Sequence, residues 1–174
     1  MAIANNYNGD LKDFLRYYRY QPKLTEYLDE IKNMEFNENM INEIVLWKVN
    51  RHVKIEENTL DEINSLNKLS NGQHRKSESI LKKIMNIKGI DLPMASTILR
   101  FKNPEVFQII DKHAYRAIYD KKYPCYPSSN VEKKIDIYFN YLDKLIELCK
   151  ARDLEFYTID RLLYIYDKKI NGKL

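Results

Sequence analysis

The sequence contains little glycine, and this shortage makes a turn-rich β fold improbable. Only 4 of the 174 residues are glycine, whereas residues that favour helices, such as leucine, lysine and glutamate, are common. No segment alternates apolar and polar residues for long enough to predict a strand. Internal repeats and low-complexity tracts are also absent from the sequence. The sequence therefore predicts a single all-α domain spanning residues 1–174.

Cysteine and histidine are too few and too scattered to predict a metal centre. The two cysteines, Cys125 and Cys149, form no Cys-x-x-Cys pair, so a four-cysteine iron–sulfur cluster is excluded. The three histidines, His52, His74 and His113, do not have the spacing of a zinc site. We therefore expect no tightly bound cofactor, and free thiols in a reducing compartment.

Long apolar runs and nucleotide-binding loops are missing as well. No apolar run is long enough to span a bilayer, and no signal peptide opens the chain. We therefore expect a cytoplasmic protein with no membrane partner, and the sequence does not predict its oligomeric state. No Ser-His-Asp arrangement and no glycine-rich phosphate loop is present.

Positive charge is concentrated in one part of the chain. The net charge is only +4, but residues 71–125 contain 11 Lys and Arg against 5 Asp and Glu. A local basic excess is the pattern expected of a phosphate-binding surface. Lysine-rich helices that simply face solvent produce the same counts, so charge alone leaves both interpretations open.

Apolar residues at helical spacing predict a series of helices separated by turns. The predicted helices are Asp10–Tyr20, Lys23–Met34, a long one capped by Asn37 and ending at about Val53, Thr59–Leu69, His74–Ile87, Leu92–Phe101, Lys112–Tyr119, Val131–Lys150, and a last one from Thr158 to Asn171-Gly172. Tyrosines 17, 18 and 20 on the first of these helices have two interpretations, stacking on nucleic-acid bases or packing on a neighbouring helix. We favour packing.

The most informative stretch of the chain is Ile87–Arg116. Its first turn contains Gly89, and Pro93 then suits the first turn of a helix, where a missing N–H costs little. A short apolar run leads to Asp111, directly before the predicted helix Lys112–Tyr119. Aspartate is a favoured N-cap, so capping alone would account for Asp111.

The order of hairpin, helix, apolar run, Asp-x-His and helix resembles the helix-hairpin-helix DNA glycosylase superfamily, which includes the endonuclease III, MutY and 8-oxoguanine glycosylase branches. The family's Leu-Pro-Gly-Val-Gly pattern corresponds to residues 87–91, and its Val-Asp-Thr-His-Val pattern to residues 110–114. Arg116 falls on a matching arginine. Pro93 stands 18 residues before Asp111, where bifunctional members have a catalytic lysine. The resemblance covers about residues 38–120.

The resemblance implies an activity on double-stranded DNA with Asp111 as the catalytic residue. Excision of a base passes through an oxocarbenium-like sugar, and a nearby carboxylate stabilises that positive charge and directs the attacking water. Pro93 has no amine to form a Schiff base, so lysine-dependent strand cleavage from that position is excluded. We therefore expect a monofunctional DNA glycosylase of base excision repair, which is a hydrolase.

In this family the hairpin amides and the following helix N-terminus bind a DNA phosphate. Gly89 fits this role, because glycine lets the backbone approach closely. Asp91 stands where the family has a second glycine, and it either weakens the phosphate contact or caps the next helix. The resemblance also implies a monovalent cation on the backbone carbonyls of Met85, Ile87 and Ile90.

Further DNA contacts are expected from polar residues near these motifs. Asn50 and Arg51 lie at the end of the predicted central helix, in the place where the family inserts a polar segment into DNA. Arg75 and Lys76 form a basic pair shortly before the hairpin helix. The remaining expected contacts are Lys112, His113 and Arg116. Exposure to solvent at a helix surface is the alternative for the basic residues.

Two functions from different classes therefore remain open. The first is a DNA glycosylase that uses Asp111, and the second is a non-catalytic module that binds DNA or a protein through the same surface. Asp111 and the local basic excess favour the enzyme, whereas Asp91 and Pro93 favour the binding module. The sequence does not identify the substrate base.

Overall fold

The computed structural model describes residues 3–49, 53–126 and 128–172, and within these ranges the regular elements are all helical. The α-helices are α1 (Pro22–Glu30), α2 (Glu38–Val49), α3 (Glu57–Ser65), α4 (Glu78–Met85), α5 (Leu92–Lys102), α6 (Lys112–Tyr119), α7 (Val131–Arg152) and α8 (Ile159–Ile170). Short 3₁₀ helices occupy Ala4–Asn6, Leu11–Tyr17, Ile31–Asn33, Leu66–Lys68, His74–Ser77 and Phe156–Thr158. The prediction of a single all-α domain is confirmed.

Some predicted helices are shorter or wound differently. The first is a 3₁₀ helix that ends at Tyr17, because the backbone is already extended at Tyr18, before the chain turns at Gln21, whose φ of 38° is left-handed. Asn37 caps α2 as predicted, since its Oδ1 accepts from Met40 N at 3.0 Å. That helix runs to Val49 rather than to Val53, which lies outside it.

Helix α5 is the centre of the fold. Every one of its 11 residues except Pro93 is buried, and it packs against α2, α3, α4 and α7. Two charged residues are part of this interior. Arg100 forms an ion pair with Asp29, and the Lys102 ammonium donates to the Met34 carbonyl at 2.7 Å. These partners offset the cost of burying the two cations.

A second group of helices closes around the chain's early residues. Helix α8 packs against α6 and against the 3₁₀ helix Leu11–Tyr17. The buried ring of Tyr166 stands edge-on to Phe14, with ring centroids 5.2 Å apart. The segment before α1 therefore belongs to the same core as α8.

The predicted pair of helices around Gly89 is present. Helix α4 ends at Met85 and α5 begins at Leu92, and Gly89 in the turn between them has a φ of +93°. A residue with a Cβ is strained in that backbone conformation, which explains the glycine.

Both cysteines, Cys125 and Cys149, are buried free thiols. Among the described residues, no helix has the length and apolar character needed to cross a bilayer.

His74 is a buried histidine that packs against the middle of α7. Only 1% of its surface is exposed, and its Nε2 lies 3.2 Å from Asp143 Oδ1. The alignment is poor, so neither ring nitrogen has a hydrogen-bond partner among the described residues. Burial lowers the pKa of His74 below its usual value, because the attraction of Asp143 does not fully compensate and Arg75 adds repulsion.

We expect His74 to make the fold less stable in mild acid. Its pKa is lower in the folded chain, so the unfolded chain binds the proton more readily once the pH falls below about 6.5. The contribution of neutral His74 to the free energy of unfolding is fully present above that pH. Below it, the contribution declines by at most about 1.4 kcal/mol per pH unit. The free energy of unfolding is measured in urea for wild type and His74→Asn, in about three steps from pH 8 to pH 5. It should decline less steeply with falling pH in the variant. Parallel curves would contradict this assignment.

Candidate active site

Asp111 lies where an apolar run meets helix α6. Its Oδ1 accepts a hydrogen bond from Ala114 N at 2.7 Å, which confirms the predicted N-cap. The residue before it, Ile110, donates its backbone N–H to Ser96 Oγ on α5 at 3.2 Å. This bond anchors the approach to Asp111 on the central helix. Asp111 is half-buried, and one of its carboxylate oxygens is used by the cap.

A pocket opens beside Asp111, at the junction of the two helix groups. Its volume is about 190 Å³. Its lining residues come from four separate segments and are Tyr18, Tyr20, Trp47, Lys48, Ile109, Asp111, Asp160, Arg161 and Tyr164. A small pocket with aromatic walls and a few polar groups suits one planar ligand group.

One aromatic wall is built by Trp47 and Tyr20. Their ring centroids are 4.9 Å apart in an edge-on arrangement, and the Tyr20 hydroxyl donates to the Trp47 carbonyl at 2.9 Å. The Trp47 indole N–H donates to Thr25 Oγ1 at 2.9 Å. Trp47 is therefore a core residue and also a fixed wall of the pocket.

The opposite wall is built by Tyr18 and Tyr164. Their rings meet edge-on at 6.4 Å, and the Arg161 guanidinium lies 5.3 Å from the Tyr18 ring centre. Arg161 itself pairs with Asp29 at 2.7 Å. Burial raises the pKa of Tyr18, and the charge of Asp160 raises it further, so the phenol keeps its proton near neutral pH.

The second carboxylate of the pocket, Asp160, is held by internal contacts. It is 4% exposed, and its Oδ1 accepts from the backbone N of Arg161 at 2.7 Å. Its Oδ2 lies 3.4 Å from Ile109 N and 3.7 Å from Arg100 Nε. Asp160 is therefore a structural carboxylate, and Asp111 is the more accessible of the two.

Arg116 and His113 are directed toward α8 instead of toward a DNA surface. Arg116 is 7% exposed, and its Nε and Nη2 bind the carboxylate of the fully buried Asp167 at 2.8 and 2.7 Å. His113 Nδ1 lies 2.6 Å from the same carboxylate. We therefore reassign Arg116 from the expected DNA contacts to the fold, because its donors are occupied inside the protein.

At the hairpin, Asp91 adopts the capping role. Its Oδ1 accepts from Leu92 N at 2.7 Å and also pairs with the ammonium of Lys134 at 2.7 Å. Gly89 stays on the outside of the turn. The three expected cation ligands Met85, Ile87 and Ile90 lie at this turn, and the Ile87 carbonyl accepts from Ile90 N at 3.0 Å. The monovalent cation stays a prediction.

The other expected DNA contacts are distributed over the surface. Arg75 pairs with Asp143 at 2.6 Å and also donates to Asn140, whereas Lys76 and Lys112 are exposed. Asn50 and Arg51 lie outside the described residues. The basic excess of residues 71–125 is also smaller at the surface than the sequence count implies, because Arg100, Lys102 and Arg116 are all buried.

Most of the pocket was not predicted from sequence. Tyr18 and Tyr20 were assigned mainly to packing, and Lys48, Asp160, Arg161 and Tyr164 were not singled out. The one available signal was the abundance of tyrosine, 14 of the 174 residues, because Tyr18, Tyr20 and Tyr164 line the pocket. A comparison of the chain with protein families, with curated proteins and with solved structures finds no match.

Proposed function

We propose that this chain is a monofunctional DNA glycosylase, which excises a damaged or modified base by water attack assisted by Asp111. The observation that carries the proposal is the position of Asp111 in the wall of an aromatic pocket. Its carboxylate is held by the cap to Ala114 N, so it is oriented before a substrate arrives.

The pocket supplies what an extruded base requires. Extruding a nucleotide from the duplex costs a few kcal/mol, and stacking on aromatic side chains returns about 1–3 kcal/mol per base. Trp47 and Tyr20 are fixed by hydrogen bonds, so they form such walls without further ordering. The pocket is also small, which favours a single base over a larger group.

Charge at the pocket suits cleavage of the glycosidic bond. As the bond breaks, the sugar gains positive charge and the departing base gains negative charge. The Asp111 carboxylate stabilises the sugar and takes a proton from the attacking water. Lys48 and the protonated phenol of Tyr18 are the donors available in the pocket for the departing base.

The test is an excision assay with wild-type protein. Duplexes carrying single oxidised, alkylated, deaminated or mismatched bases are incubated with the protein and analysed with and without alkali. We expect an abasic site in at least one duplex, with strand breaks only after alkali, because Pro93 provides no amine. Strand breaks that wild type makes without alkali, and that Lys48→Gln does not make, would instead show that Lys48 cleaves the strand through a Schiff base. Excision of none of the bases would contradict the proposal.

The second candidate is a non-catalytic module that binds DNA or a protein. The Asp91–Lys134 pair favours it, because a carboxylate occupies the place where the glycosylase family binds a phosphate. DNA binding without excision across the panel would support this alternative.

A further inference from the structure

We propose that this chain holds DNA phosphates with four cations around the pocket mouth, and that the first amides of α5, directly after the hairpin, are closed to phosphate. The four residues are Arg19, Lys48, Lys112 and Lys168, and together we call them the rim cations. The proposal rests on the proposed function, since it names where the DNA backbone binds when a base enters the pocket.

Each rim cation lines the pocket, contacts a lining residue or follows one in the chain. Lys48 lines the pocket directly. Lys112 is exposed and follows Asp111 in the chain. The Lys168 ammonium lies 3.2 Å from the Tyr164 hydroxyl, and the Arg19 Nη1 donates to the Tyr18 carbonyl at 2.8 Å. The backbone of a nucleotide whose base occupies the pocket must pass this rim.

The rim cations carry charge that is not neutralised locally. Across residues 3–49, 53–126 and 128–172, no carboxylate lies within ion-pair distance of any of them. The two carboxylates in the pocket are held by other donors, Asp111 by the cap of α6 and Asp160 by backbone and arginine contacts. The mouth therefore presents four cations, and one accessible carboxylate, that of Asp111, to an approaching strand.

The hairpin offers no comparable site at the start of α5. The Leu92 amide is bound by the Asp91 side chain, and Pro93 has no N–H. The amides of Met94 and Ala95 both donate to the Asp91 carbonyl, at 2.9 Å. The first amides of this helix are therefore occupied, and the Asp91 carboxylate repels an incoming phosphate.

Two lysines near the hairpin are neutralised by ion pairs with carboxylates, whereas the rim cations are not. Lys134 pairs with Asp91, and Lys82 pairs with Glu132 at the start of α7. These two ion pairs place carboxylates among the remaining exposed lysines of that surface. The rim is consequently the stronger candidate for phosphate binding, although most of its residues lie outside the basic stretch 71–125.

Two variants with equal charge loss separate the two surfaces. The rim variant carries Arg19→Gln, Lys112→Gln and Lys168→Gln, and it leaves Lys48 intact because that side chain lines the pocket. The hairpin variant carries Lys88→Gln, Lys122→Gln and Lys133→Gln, which are all exposed positions. Binding to a short duplex with a central tetrahydrofuran abasic-site analogue is measured by fluorescence anisotropy over a range of salt concentrations.

We expect the slope of log K against log salt concentration to fall by about two to three units in the rim variant and by less than about one unit in the hairpin variant. An unchanged slope in the rim variant, or an equal or larger loss in the hairpin variant, would overturn the inference while leaving the glycosylase proposal standing. Absence of both binding and excision in wild type would instead overturn the glycosylase proposal, and this inference with it.

Discussion

Asp111→Asn is expected to lose at least about 100-fold in the rate of base excision while it retains the fold and DNA binding. Asparagine caps helices about as well as aspartate, so its side-chain oxygen still accepts from Ala114 N. It has no negative charge to stabilise the sugar cation, and losses of about 10²–10³ are typical when one charge-stabilising group is removed. Single-turnover excision at saturating protein measures the chemical step.

A matched control is available at the other end of the same helix. Asp120, the C-cap of α6, has a left-handed backbone with a φ of 52°, which asparagine also tolerates. Asp120→Asn therefore removes one negative charge without a backbone penalty and should excise at the wild-type rate. If Asp111→Asn were as active as Asp120→Asn, the catalytic role of Asp111 would be refuted.

Asp167→Asn is expected to destabilise the protein by about 3–5 kcal/mol, because it leaves the buried Arg116 without its counter-charge. For a domain of this size that loss corresponds to a fall in Tm of about 10 °C. Urea unfolding at neutral pH measures the free energy directly. Glu147→Gln provides the comparison, because it breaks an exposed pair with Lys144 and should cost less than about 1 kcal/mol.

The same carboxylate predicts how the protein responds to acid. Burial works to raise the pKa of Asp167, but hydrogen bonds from Arg116, Asn171 and His113 outweigh burial and lower it. Its stabilisation is therefore complete above the unfolded pKa of about 3.9 and disappears as the pH falls through the lower folded value. Wild type should lose stability in this range, and Asp167→Asn should lose less. Similar losses in both proteins would contradict the assignment.

Local patterns predicted the helices well where the signal is contained in neighbouring residues. Apolar spacing located α5 and α7, and the cap preferences of Asn37, Asp91 and Asp111 placed three helix starts. Lengths were overestimated where a last turn tightens or a chain reversal intervenes, as at Gln21. That reversal depends on a left-handed residue that is not glycine, which no sequence pattern indicates.

The pocket was harder to predict, because long-range contacts create it. Arg100 and Lys102 look like surface cations in the sequence, yet Asp29 and the Met34 carbonyl hold them inside. Arg116 matches an arginine of the DNA glycosylase superfamily, but its partner Asp167 lies 51 residues away. Only the folded arrangement shows which cations remain at the surface.

The pocket walls come from residues as far apart as Tyr18 and Tyr164. During synthesis, the early aromatic wall therefore exists before the helix that completes it, α8. A nascent or truncated chain that lacks α8 has neither Asp160 nor Tyr164, and it leaves the apolar faces of α6 and Leu11–Tyr17 uncovered. The pocket is thus completed only when α8 joins the fold, and a chain without α8 lacks part of the pocket lining.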